Sequence, residues 1–306
     1  MKHGKTLLMA ALLTLGTAAG VHAEEGDALE ISGSLTGNWE HVEEKATDEE
    51  FDNTEQTFNL NLNYSFSDKL EAYLRYSYRH FGGDNSDEKI SELDLYGIKY
   101  QLNEENALNI GSQEAELGVL SGLVDLTEVG KDAMMQGVTW DYGAEDADIS
   151  AHVIGGETFD GDLTLAGLQL NKKMGDVTVS GEYLHLKDDT TDDKLSTFGL
   201  GAAYTFEKWG LAAEYLRSDA DEDKTGYLAG VTYSFTDDNT LSLTYRNLKS
   251  ASTLIGTYGN DTKGFELEWE KSFSDRWTLT LTHEKATTIS TDEDTDTSTV
   301  EVSYSF

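Results

Sequence analysis

The feature of this chain that most restricts its fold is a side-chain alternation of period two that recurs along most of its length. Phe58, Leu60, Leu62, Tyr64 and Phe66 point one way in an extended chain, while Thr57, Asn59, Asn61, Asn63 and Ser65 point the other. In the next stretch Leu70, Ala72, Leu74, Tyr76 and Tyr78 oppose Glu71, Tyr73, Arg75, Ser77 and Arg79. The pattern returns at Phe198 to Phe206, at Tyr227 to Phe235, and at Phe265 to Trp269, where the opposite face carries Glu266, Glu268 and Glu270. Such segments read as β-strands with one apolar and one polar face. A mean hydropathy of −0.48 looks unsuited to a membrane, yet in a β-barrel only every second residue meets lipid and the lumen is polar. A Lys or Arg on the lipid face at mid-membrane costs roughly 2–4 kcal/mol, and Asp or Glu somewhat less. Register is therefore pinned, because a one-residue slip would drive Glu266, Glu268 and Glu270 into hydrocarbon.

The connections fall into two classes. Short ones lie at Ser67–Lys69, Asn103–Asn106, Gly143–Ala147, Met174–Asp176, Glu207–Lys208, Thr236–Asn239 and Ser274–Asp275. Longer ones fall near 41–53, 82–88, 114–131, 157–162, 188–194, 220–224, 250–260 and 288–296. Fifteen connections give sixteen strands, with both ends on one side of the membrane. The segments near 132–141 and 176–187 blur the alternation at Gln136 and at Leu184-His185-Leu186, and without them the count is fourteen. The expected fold is all-β: a transmembrane, antiparallel, up-and-down β-barrel. Aromatic residues near strand ends (Trp39, Tyr64, Phe66, Tyr100, Trp140, Tyr204, Phe206, Phe235, Phe273, Trp277) suit interfacial girdles. A soluble sandwich also alternates, but it rarely strings together so many successive hairpins. Sixteen strands leave an aqueous channel, not a side-chain-filled core.

The termini agree with export to an outer membrane. Lys2 and Lys5 precede an apolar run from Thr6 to Gly20, and Val21-His22-Ala23 offers a small-x-small cleavage site. This is the layout of a secretory signal peptide over 1–23, leaving 24–306 as one barrel domain with periplasmic termini. The chain has no Cys and no Pro. Disulfides, zinc ribbons, iron–sulfur clusters and thiol catalysis are excluded together, and nothing interrupts strand ladders as Pro would. The last residues, Val300 to Phe306, alternate strictly and end on an aromatic. They resemble the final strand of bacterial outer-membrane proteins, which implies that Tyr304 and Phe306 form the signal read by the barrel-assembly machinery.

The formal net charge of −36 excludes nucleic acid as a partner, since that needs a basic face. Acidic clusters at Asp84–Glu88, Asp188–Asp193, Asp219–Asp223 and Asp292–Asp296 occupy longer connections. Asp219-x-Asp221-x-Asp223 and Asp292-x-Asp294-x-Asp296 imitate the start of a calcium loop but lack its sixth-position Gly and twelfth-position Glu. No metal site or cofactor is read from them. Weak divalent bridging to lipopolysaccharide phosphates, beside contact with outer-membrane lipid, suits them better. By parity Glu30, Glu71, Glu92, Asp94, Glu182, Glu214, Glu266, Glu268, Glu270, Glu284 and Glu301 face the lumen, against Arg75, Arg79 and Arg246, with Lys99 and His152 less clear. Carboxylate rings favour cations.

Leu93-Asp94-Leu95-Tyr96-Gly97-Ile98-Lys99-Tyr100, followed by Leu108-Asn109-Ile110-Gly111-Ser112-Gln113, resembles the fourth and fifth strands of the general porins of Gram-negative bacteria. The opening Leu29 to Leu35 is similar to a porin first strand, and a parity break is expected at Tyr96-Gly97, where Leu93 and Leu95 give way to Ile98 and Tyr100. The resemblance implies a homotrimer of passive diffusion pores for small hydrophilic solutes and ions, each narrowed by an inward-folded third external loop. That loop would be 114–131, whose apolar run Leu117–Leu126 itself argues against life in water. Glu114, Glu116, Asp125 and Glu128 are its candidate constriction acids, expected to face Arg75 and Arg79, and the candidate pore wall is Arg75, Arg79, Glu92, Asp94, Arg246, Glu266, Glu268 and Glu270. Two departures stand out: Glu92 and Asp94 replace a basic residue common in the family, and Thr127-Glu128-Val129-Gly130 replaces its Pro-containing loop tip.

Rival functions are weaker. A barrel hydrolase needs a nucleophile beside a His–carboxylate pair, whereas His152, His185 and His283 fall on separate strands without a G-x-S-x-G or H-E-x-x-H context. A monomeric, substrate-selective channel for sugars or organic acids would use lumenal aromatics such as Tyr73. A structural tether would need a second domain, which this sequence does not offer.

Overall fold

The computed structural model describes residues 29–306 except 48, 84–86, 121, 123, 127–133, 145–146, 159–160, 220–223 and 250–260. The expected signal peptide lies outside the described residues. The chain begins with β1 (Leu29–Glu44), β2 (Glu49–Ser67), β3 (Leu70–Gly83), β4 (Asp87–Asn103) and β5 (Asn106–Gln113). A small hairpin follows, β6 (Ala115–Leu117) and β7 (Val124–Leu126). Then come β8 (Met135–Ala144), β9 (Ile149–Thr158), β10 (Leu163–Met174), β11 (Val177–Asp188), β12 (Lys194–Phe206) and β13 (Trp209–Ser218). The last five are β14 (Lys224–Thr236), β15 (Asn239–Leu248), β16 (Thr262–Ser274), β17 (Trp277–Thr288) and β18 (Glu293–Ser305). Without β6 and β7, sixteen antiparallel strands close into one barrel, each paired with its sequence neighbours and β1 with β18. The two doubtful segments are strands β8 and β11, which removes the fourteen-strand alternative.

The alternation read from the sequence is the partition observed. On β12 Phe198 and Leu200 are 57% and 66% exposed on the outer face, while Thr197, next along the chain, is fully buried. Of the expected girdle, Trp39, Tyr64, Phe66, Tyr100, Tyr204, Phe206, Phe235 and Phe273 are exposed. Gln136 blurred β8 because it sits on the outer face, where its amide oxygen accepts a hydrogen bond from the Tyr96 hydroxyl at 3.1 Å. Leu184 and Leu186 blurred β11 for a different reason: they are apolar residues on the inner face, both buried in the main apolar cluster.

Two readings need correction. Most connections taken as long are short, because strands continue as polar hairpins beyond the apolar belt. The stretch 41–53 shrinks to 45–48 and 288–296 to 289–292. Charged partners such as Glu43↔Glu50 and Lys285↔Asp296 keep the backbone ladder without an apolar alternation to reveal it. The parity break in β4 also lies earlier than Tyr96-Gly97. A β-bulge skips Asp94 in the register with β3, so that Arg75 opposes Leu95 and Tyr76 opposes Leu93.

At the barrel's short turns, polar pairs fix the chain reversal. In the β14–β15 turn the Lys271 ammonium donates to Asp238 at 2.6 Å and holds that carboxyl below the usual carboxylate range, helped by the Thr236 hydroxyl. Closure at β1 is completed by Phe306, whose N–H and C=O exchange 3.0 Å hydrogen bonds with Gly33. The Phe306 ring lies where a Gly33 side chain would stand.

Gly97 has the same logic on the inner wall. A Cβ there would stand 2.3 Å from the Ile110 carbonyl oxygen and 2.6 Å from the Tyr73 hydroxyl. Gly97→Val is therefore expected to destabilise the barrel by about 1–3 kcal/mol through overpacking. Tyr73→Phe should be neutral or mildly stabilising, because the buried Tyr73 hydroxyl has no hydrogen-bond partner. Guanidinium unfolding in detergent micelles measures both.

Candidate functional site

The bulge in β4 builds the most buried charge cluster of the wall. It turns Asp94 onto Arg75 of β3, whose Nε reaches Asp94 Oδ1 at 3.1 Å and whose Nη2 reaches Oδ2 at 3.1 Å. The Ser77 hydroxyl, with one proton to give to either, lies 2.9 Å from the same carboxylate and 2.8 Å from Asn59 Oδ1. Asp94 has no exposed surface and Arg75 only 8%. The free edge of the guanidinium, Nη1, donates to Glu114 at 2.8 Å. One arginine thus ties two adjacent strands to the start of the segment that follows β5.

That segment continues into the β6–β7 hairpin, in which Glu116 stands opposite Asp125. Leu117, Val124 and Leu126 are buried among Ile154, Leu165, Leu184, Leu186, Leu216, Leu228 and Leu248 of the wall. Backbone donors at the hairpin tip are taken up by wall side chains: Gly118 N–H by Gln169 at 3.0 Å and Leu120 N–H by Glu214 at 2.9 Å. The wall makes room with glycine. A Cβ on Gly167 would meet Leu117 at 2.4 Å, and one on Gly201 would meet Val119 at 2.7 Å. Sequence reasoning missed Gln169 and the receiving leucines; the signal present was a set of Gly and Leu residues on the parity otherwise reserved for polar side chains. Glu128 lies outside the described residues, as does the Asp125 side chain.

The other expected arginines are matched on the wall itself. Arg79 donates to Glu92 at 3.1 Å and lies 5.4 Å from the Phe81 ring centroid. Arg246 pairs with Glu284 and reaches the Thr262 hydroxyl at 3.4 Å. Of the two arginines expected to face loop acids, Arg75 meets one and Arg79 meets Glu92 instead. Glu266, Glu268 and Glu270 occupy successive inner positions of β16. Across to β17 the register places them opposite Glu284, Thr282 and Thr280, and Thr280 in turn faces Glu301 of β18. This flank concentrates carboxylates beside hydroxyls. Tyr73 does not project as a sugar-stacking platform, since its hydroxyl end packs over Gly97. The histidines stay apart: His152 pairs with Asp141 at 2.5 Å, His185 with Ser196 at 3.1 Å and His283 with Ser298 at 3.0 Å.

The sequence model of the Gram-negative porin family matches residues 94–253, just over half of the chain. The chain belongs to the Gram-negative porin family. Solved structures share the fold of this porin. OmpF of Salmonella typhi, in complex with daunomycin, superposes with a TM-score of 0.65 at 15% identity, covering 93% of this chain and 99% of that one. OmpT of Vibrio cholerae gives 0.61 at 14% identity, covering 93% and 100%. OpdQ of Pseudomonas aeruginosa gives 0.63 at 12% identity, covering 92% and 99%. No curated protein sequence matches the chain. A closed sixteen-strand barrel of this family is an outer-membrane channel, and the wall described above is the lining of that channel.

Removing Arg75 leaves Asp94 buried and uncompensated. Arg75→Ala is expected to cost about 3–5 kcal/mol in guanidinium unfolding. The double variant Arg75→Met/Asp94→Leu, which removes both charges, should recover most of that loss.

Proposed function

We propose that this porin is a passive diffusion channel for small hydrophilic solutes and ions, that it prefers cations, and that the β6–β7 segment folds into its lumen and narrows it. The observation that carries the charge preference is the pairing pattern. Arg75, Arg79 and Arg246 each sit against a wall carboxylate, Arg246 against Glu284, while β16 carries Glu266, Glu268 and Glu270 in succession with Glu301 on β18. The local field in that part of the lumen is negative, and in a confined, low-dielectric setting such rings favour cations. The narrowing is supported by the hairpin's contacts with Gln169, Glu214 and the inner leucines. Glu114 and Glu116 are its acids, with Asp125 and Glu128 kept as candidates from the sequence.

The same reading includes export through cleavage of residues 1–23, periplasmic termini, recognition of Tyr304 and Phe306 by the barrel-assembly machinery, and association as a homotrimer among lipopolysaccharide and lipid. Catalysis is not part of it: the candidate histidines His152, His185 and His283 lie on β9, β11 and β17, each with its own polar partner, and do not converge on one nucleophile.

Planar-bilayer recording under a potassium chloride gradient tests the proposal. Ohmic steps in groups of three and a reversal potential on the cation side are the expected result. The triple change Glu266→Gln, Glu268→Gln, Glu270→Gln should move that potential toward zero. Reversal on the anion side would overturn the charge assignment, and absence of conductance from folded barrel would overturn the channel.

A further inference from the structure

A cavity of about 410 Å³ opens between the tip of the β6–β7 hairpin and the inner wall of β12 to β16. Its construction is set by cross-strand register. One row runs Ala203, Ala212, Gly230, Thr244, Glu266 across five neighbouring strands. The row beside it ends Thr232, Ser242, Glu268. In the first row small residues come first, a hydroxyl next and a carboxylate last; the second opens on Thr205 and Gly210 and likewise ends in a carboxylate. The missing side-chain volume at the first positions makes the recess. Val119 and Leu120 form its other side, and a Cβ on Gly230 would already lie 3.3 Å from Leu120.

The gradient along this trough defines a ligand. An apolar body fits over Ala203 and Ala212, beside the contact of Leu120 with Gly230, where burial returns roughly 25 cal/mol per Å² of apolar surface. Donors next to that body meet the hydroxyls of Thr244 and Ser242. A positive charge at the far end comes to the carboxylates of Glu266 and Glu268, with charge-assisted hydrogen bonds roughly twice as strong as neutral ones. An anion is repelled at that end, and an inorganic cation leaves the apolar half empty. A cavity of this volume is in the size range of small-molecule sites, and its lining is about equally polar and apolar.

We propose that this trough is a binding site for small organic cations, a compact apolar body carrying one protonated amine, and that it selects such solutes from those entering the lumen. The site deepens the channel reading and rests on it for access. Two neighbouring carboxylates alone would attract any cation; the recess beneath Leu120 makes the preference one of shape as well as charge.

The test is titration calorimetry of the folded barrel in detergent micelles with benzylammonium, with benzyl alcohol and ammonium chloride as partial ligands. Benzylammonium should bind saturably, and neither partial ligand should compete with it at equal concentration. Glu266→Gln/Glu268→Gln should weaken binding about tenfold or more, the loss expected for a charge-assisted contact. Ala212→Leu, which fills the recess and keeps both carboxylates, should weaken it comparably, and Ala203→Val repeats that test if the leucine variant does not fold. Equal competition by ammonium, or undiminished binding when the recess is filled, would reduce the effect to bulk electrostatics and overturn the site. Conductance of the same preparation separates the two readings. A barrel that conducts without binding benzylammonium keeps the channel and loses the site, and one that binds without conducting does the reverse.

Discussion

Hydrocarbon offers no partner to a peptide N–H or C=O, and each one left unmade there costs several kcal/mol. Everything else in this chain follows from that requirement. Strands can satisfy it only by pairing on both edges, so the sheet must close, and closure here is β1 against β18 with Phe306 bonded to Gly33. Closure divides the side chains into two populations with opposite solvents. The outer one must be apolar across the belt. The inner one is released from that demand, and the chain uses the freedom for charge on one flank and for packing on another.

That second use explains where the sequence was legible and where it was not. Strands such as β2, β12 and β16 could be read because their two faces differ chemically: Leu60 and Leu62 against Asn59 and Asn61, Leu267 against Glu266 and Glu268. The reading weakened on β11, since Leu184 and Leu186 pack in one cluster with Leu117, Val124 and Leu126 while the other face of the strand is no more apolar. Period-two patterning reports the contrast between faces, and that contrast vanishes wherever both faces of a strand carry apolar residues. Loop lengths were misread for a related reason. Outside the membrane a ladder needs only backbone bonds, so Glu43 to Glu50 pairs without any pattern in its side chains.

The candidate site divides the same way. Arg75, Asp94 and Glu114 could be nominated from residue type and parity. Their meeting at one guanidinium depended on a bulge that shifts Asp94 out of register, and a bulge leaves only a small phase error in the sequence. Gln169 and Glu214 could not be found as hairpin receptors, because their partners are backbone N–H groups, which every residue possesses. The recess over Ala212 and Gly230 was equally hidden, being made of side chains that are absent.

The packed hairpin also has a mechanical meaning. Close-packed interiors are stiff and barely compressible, so the arc of wall carrying Ile154, Leu165, Leu184, Leu216 and Leu228 is stiffened by the hairpin packed against it. Among the described residues, the arc from β16 through β18 to β2 contributes nothing to that cluster and is held by its own ladder. A squeeze from the surrounding bilayer is therefore absorbed unequally, the acidic arc flexing while the braced arc moves as a rigid plate.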